Sequence, residues 1–158
     1  MYTAAHSTTP KLLESSDDWQ LQFDVCTKDG QTKNAPFPPH IIATRQRPDG
    51  VMWSDKLKTV AWIELTSPWE ENMTKWHFNK KEKYSKLAQK LREKGWHAIP
   101  LYVEVGARGH INHKWHHFTK AVGFSKADSK ALQARVARVA QRCSFYLYCN
   151  RKNKEWCV

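Results

Sequence analysis

The run KTVAWIELT at 58–66 constrains this chain more than any other stretch. Val60, Ala61, Trp62, Ile63 and Leu65 leave it almost no polar alternation, the pattern of a central strand covered on both faces. A strand of that kind requires a sheet with a layer packed on either side of it. Glu64 lies inside the run. A buried carboxylate without a partner is costly, so Glu64 needs a cation beside it, either a metal ion or a lysine.

The surrounding pattern supplies the rest of a mixed α/β fold, a small central sheet flanked by helices. WQLQFDVC at 19–26 alternates apolar and polar residues and predicts a strand, followed by turn chemistry at Lys28-Asp29-Gly30. Pro36, Pro38 and Pro39 force an extended loop. A strand at 48–54 pairs with 58–66 as a hairpin. Ser67-Pro68-Trp69-Glu70 has the form of a helix start, with Thr74 as the other candidate. Tyr84, Leu87, Ala88 and Leu91 make one apolar stripe, and Gly95 is the expected stop. AIPLYVEV at 98–105 predicts another strand, and residues 107–127 read as a histidine-rich loop. Ser129 to Arg142 reads as an amphipathic helix, with a helical continuation or a last strand over FYLYC at 145–149. A short helix at 10–16 precedes all of this. The division is a flexible N-terminus at 1–11 and a single domain over 12–156. Most tryptophans are expected in the core.

The 158 residues carry a net charge of +11, unevenly distributed. Eight Lys/Arg face only Glu82 and Glu93 within 75–94, and eight face Asp128 alone within 126–154. Segregated positive charge favours a polyanionic partner, because each neutralised phosphate releases counterions. The candidate contacts are Arg47, Lys81, Lys86, Arg108, Lys114, Arg135, Arg138 and Arg142, with Trp115 for base stacking. No run approaches the roughly 20 apolar residues of a membrane span. The N-terminus lacks signal-peptide order, which predicts an intracellular protein or a domain of a longer one. Cys26, Cys143, Cys149 and Cys157 form no CxxC pair, so reduced packing cysteines are expected. His110, His113 and His116, with His117 beside the last, recur at an x₂ spacing that does not match the i, i+4 pair of helical zinc sites, and no cysteine helps.

Asp49 follows Pro48 at the mouth of one strand, and Glu64 lies near the end of the next, with fourteen residues between them. On adjacent strands, both carboxylates reach one point at the same end of the sheet. Together with the Leu65 carbonyl they suit Mg²⁺ or Mn²⁺, hard cations that take few protein ligands and keep several waters. Lys80 lies on the apolar stripe, four residues before Tyr84, and Lys83 flanks it. Either can approach Glu64. Glu104 and Asp24 are accessory acids, Glu104 having Arg108 as an alternative salt-bridge partner.

Arg47-Pro48-Asp49, Glu64-Leu65-Thr66 with Pro68-Trp69-Glu70, Lys80-x-x-Lys83-Tyr84, Gly95-Trp96 and Glu104-Val105-Gly106 with Arg108-Gly109 occur in that order. Asp18-Trp19, Phe37-Pro38-Pro39-His40-Ile41 and the aromatics around Phe145–Tyr148 accompany them. The ordered set, spanning about 12–156, resembles the restriction-like endonuclease domains of the PD-(D/E)xK superfamily associated with non-LTR retroelements and reverse-transcriptase genes. The resemblance implies a restriction-endonuclease-like core and metal-dependent cleavage of DNA. It implies Asp49 and Glu64 as metal ligands, a longer retroelement-derived parent and a nuclear location. RNA or an RNA–DNA hybrid is a further substrate class. The superfamily lysine, two residues after the glutamate, is replaced here by Thr66, and Lys80 and Lys83 match the helix lysines that take its role in the retroelement domains. A competing expectation is a nuclease-fold module that binds nucleic acid without turnover.

Overall fold

The structure, a computed structural model, describes residues 12–26, 32–33 and 36–153. The expected flexible segment at 1–11, the turn at Lys28-Asp29-Gly30, Trp156 and Cys157 lie outside the described residues. Strands β1 (Gln20–Phe23), β2 (Val25–Cys26), β3 (Thr32–Lys33), β4 (Gly50–Ser54) and β5 (Thr59–Thr66) precede helix α1 (Met73–Glu93). Strand β6 (His97–Glu104) and helices α2 (Lys114–Val122) and α3 (Lys126–Asn150) follow. Among the described residues the main sheet has the order β1-β4-β5-β6, and β2 and β3 pair separately. The fold is mixed α/β.

β5 occupies the interior position its composition demands. It pairs antiparallel with β4, Gly50 opposite Ile63, and parallel with β6, Glu64 opposite Tyr102 and Thr66 opposite Glu104. α1 makes the crossover between the two parallel strands and covers one face of the sheet. Val60, Trp62, Trp53 and Ala98 meet Tyr84, Leu87, Ala88 and Leu91 there. The opposite face packs Ala61, Ile63, Leu101 and Val103 against Trp115 and Val122, with Leu132, Val136 and Ala140 at its margin. α1 ends as expected at Gly95, whose φ of 79° suits glycine.

Several expectations need correction. The 19–26 strand is broken at Asp24, whose N–H donates to the Asp49 carbonyl at 2.9 Å. Of the two candidate helix starts the one near Thr74 holds: Ser67 caps no helix, and a 3₁₀ turn at Glu70–Asn72 leads into α1 at Met73. Glu70 instead accepts from the Arg108 backbone N–H at 2.8 Å and from Arg108 Nε at 2.9 Å, holding the Gly106–Gly109 turn. The histidine-rich segment contains α2, a helix with Trp115, Thr119 and Val122 buried along one side. It ends in left-handed Gly123 at φ 117°. α3 continues unbroken through the FYLYC segment, the helical alternative. Trp53, Trp62, Trp96 and Trp115 are core residues, whereas Trp69 and Trp76 are exposed.

Candidate active site

The C-terminal end of the parallel pair β5–β6 becomes polar on the face that α1 covers. Side chains alternate along a strand, so Glu64 and Thr66 continue the row of Val60 and Trp62, and Tyr102 and Glu104 continue that of Ala98. Glu64 and Glu104 are 3% and 4% exposed, which places two carboxylates inside the protein on one face. α1 answers each with side chains one turn apart.

Glu64 is held on both oxygens. Lys80 Nζ contacts Oε1, Lys83 Nζ lies 3.4 Å from the same oxygen, and the Tyr84 hydroxyl donates to Oε2 at 2.8 Å. Lys80 is the more enclosed lysine, with 20% side-chain exposure against 45% for Lys83. The cation that the sequence demanded for Glu64 is therefore supplied from α1. Tyr84 also lies 3.2 Å from the Arg47 carbonyl, a second acceptor for its hydroxyl, and so ties the segment leading into Asp49 to the end of β5. Burial and the bond to Glu64 push the Tyr84 phenol far up, so it stays protonated as a donor. Tyr102 is pushed up to about 12 by burial and the Glu64 charge.

Asp49 stands one residue before β4. Extending the β4–β5 register by that residue puts it opposite Glu64. Its Oδ2 accepts the Leu65 N–H at 2.6 Å. Burial raises its pKa most, the Leu65 bond opposes this, and the neighbouring Glu64 charge adds to the rise. The N–H and C=O of one strand residue point to the same side, so the Leu65 carbonyl also faces the Asp49 side. Thr66 turns its carbonyl the other way, accepting from Val105 N–H at 2.9 Å. Asp24 stands beside this group, with Oδ1 buried and without a hydrogen-bond partner among the described residues. A cleft of about 550 Å³ exposes Asp24, Asp49, Leu65 and Thr66 along one wall and α3 along the other.

Glu104 is not paired with Arg108, which binds Glu70. His77 Nδ1 lies 2.8 Å from Glu104 Oε1, and Asn112 Nδ2 lies 3.4 Å from Oε2. His77 was not signalled by the sequence, because its partner is 27 residues away and reaches it only through the β5–α1–β6 crossover.

The basic residues divide into separate groups. Arg47, Lys81 and Lys86 are exposed on the α1 side, and Lys86 lines a cleft of about 260 Å³ with Arg45 and Lys90. Arg135, Arg138 and Arg142 are exposed on α3, over the other face, and Lys114 is half-buried at the start of α2. Arg108 is exposed and lies over the Trp69 ring at 5.5 Å. Trp115 cannot stack on a base: it is 5% exposed, and its indole N–H donates to the Ser129 carbonyl at 3.2 Å.

Among the described residues no three His, Cys, Asp or Glu side chains gather as a metal cluster, and no helix is long and apolar enough to cross a membrane. A two-carboxylate site is still compatible with Mg²⁺, which keeps most of its waters. Asp49 and Glu64 face each other across the extended β4–β5 register, so the two acids are neighbours whose charges repel. A divalent ion between them would relieve that repulsion. The donor set fits such an ion, provided Glu64 shares its oxygens with Lys80. The sequence matches no protein-family model, and no curated protein matches it.

Proposed function

We propose that this chain is a metal-dependent endonuclease with a restriction-endonuclease-like core, hydrolysing DNA phosphodiesters with low intrinsic sequence preference. The reading rests on one observation: the buried Glu64 carboxylate, beside Asp49 at a strand end, is met by two lysines from the covering helix. A plain structural ion pair needs neither a second acid nor a second lysine. Asp49, Glu64 and the Leu65 carbonyl would hold Mg²⁺ or Mn²⁺, which when bound lowers the pKa of a water and offsets charge on the phosphate. Lys80 and Lys83 put positive charge where negative charge develops on the phosphate. Tyr84 fixes the Glu64 carboxylate and the Arg47–Asp49 segment. Exposed basic residues on α1 and α3 supply sequence-independent phosphate contacts, for which RNA or an RNA–DNA hybrid also qualifies. A nuclear, retroelement-derived parent protein is the setting this reading implies.

Nicking of supercoiled plasmid tests it. Cleavage with Mg²⁺ or Mn²⁺, abolished by EDTA and in Asp49→Ala/Glu64→Ala, is the expected result. Salt-sensitive DNA binding without cleavage in either metal would replace the enzyme with the second reading, a binding module. That reading draws on Thr66 at the lysine position and on a Glu64 already satisfied by three donors.

A further inference from the structure

The His77–Glu104 pair has a geometry that a helix-to-sheet brace does not require. Glu104 is a nearly inaccessible carboxylate whose Oε1 lies 2.8 Å from His77 Nδ1; an ionised carboxylate only accepts, and against it the ring donates Nδ1–H. That bond fixes the ring's orientation and leaves Nε2 as the nitrogen turned away from Glu104. Nε2 has no hydrogen-bond partner among the described residues, and the His77 side chain keeps 18% exposure. The ring is held edge-on by Tyr102 at a centroid distance of 5.5 Å and by Phe78 at 5.9 Å. His77 precedes Lys80 by three residues on α1, a spacing that brings Cβ atoms to roughly 5–6 Å. Glu104 follows Tyr102, the register partner of Glu64, by two residues on the same face. The two polar groups are thus adjacent. The titratable groups about the ring are Glu104 and Tyr102 on β6, with Lys80 and Lys81 on the next turn of α1 and Glu64 beyond Tyr102.

We propose that His77, oriented by Glu104, protonates the departing oxygen of the cleaved phosphodiester. The inference rests on the endonuclease reading above and adds a general acid to it. In the step, a water oxygen bonds to phosphorus and loses a proton to solvent. The bond from phosphorus to the bridging oxygen breaks with its electron pair on that oxygen. That oxygen takes the Nε2 proton, and His77 regains one from solvent. No oxidant or reductant is involved. Glu104 is a positioning residue: it touches the imidazole and not the reacting atoms.

The test pairs His77→Asn with oligonucleotides in which the 3′- or the 5′-bridging oxygen at one cleaved linkage is replaced by sulfur. Asparagine keeps a donor toward Glu104 but has no acidic nitrogen, and a thiolate leaves without needing a proton. The expected result is a loss of about 10²–10⁴-fold on the all-oxygen strand, with near wild-type cleavage on one of the two sulfur substrates. Equal losses on all substrates, or no loss on any, would overturn the proposal while leaving the endonuclease standing, as long as wild-type protein cleaves and Asp49→Ala/Glu64→Ala does not. Absence of wild-type cleavage on every substrate would remove both.

Discussion

Glu64 and Glu104 are buried to the same degree, on the same sheet face and under the same helix, yet their surroundings differ in kind. Glu64 receives two lysines and a phenol and has a second acid across the strand pair. Glu104 receives an imidazole and an amide, with no lysine or arginine bound to it among the described residues. Burial alone therefore does not mark a site. One carboxylate is surrounded by excess charge of both signs, and the other is nearly saturated by a single orienting pair.

Stripping the lysines is the severest way to break this contrast. Lys80→Ala is expected to lower cleavage by about 10²–10³-fold, the range for losing one preorganised charge donor. Lys83→Ala, half-exposed and farther from Oε1, is expected to cost about fivefold or less, as for a solvent-screened pair. Cleavage rates with circular dichroism as a check on folding decide this. Equal effects would show that the two lysines are interchangeable and that the enclosure of Lys80 has no consequence.

A smaller effect concerns Asp49, the neighbour Glu64 has and Glu104 lacks. Burial and Glu64 hold its folded pKa above the unfolded value, so the proton it retains favours the fold at low pH. That contribution is lost as pH rises through the folded pKa, leaving an ionised group that weighs against folding at neutrality. Asparagine removes the charge and still accepts from Leu65. Asp49→Asn in EDTA should therefore raise Tm at neutral pH, by a small amount because the half-buried carboxylate is partly screened by solvent. The gap should close as pH falls toward the ordinary carboxylate range. A lower neutral Tm for the variant would mean that Asp49 is stabilising and was misread.

The half of this picture around Glu64 was legible in the sequence. A carboxylate in an apolar strand implied a cation, the stripe from Tyr84 to Leu91 implied the helix that brings it, and Lys80 and Lys83 on or beside that stripe were the two candidates, both of which reach Glu64. These are local signals, each carried by one element. Glu104 and His77 were not legible as a pair, because only the parallel crossover joins them. Arg108 was offered to Glu104 on sequence proximity, but the Gly106–Gly109 turn swings it to Glu70. α2 was hidden by its histidines. Trp115, Phe118, Thr119 and Val122 do follow helical spacing, but all four histidines at 110–117 lie outside that stripe or ahead of the helix. Trp115 looked like a base-stacking residue for the same reason, since its basic neighbours concealed that it anchors α2 to α3.

The account depends on Asp49 and Glu64 sharing one divalent ion, and the most direct measurement is anomalous scattering from crystals grown with Mn²⁺. A single strong peak within ligand distance of both carboxylates, absent in Asp49→Asn and with none at Glu104, is the expected result. A Glu64 carboxylate still closed by Lys80 and Tyr84, with no peak beside it at Mn²⁺ concentrations that support cleavage, would contradict the account.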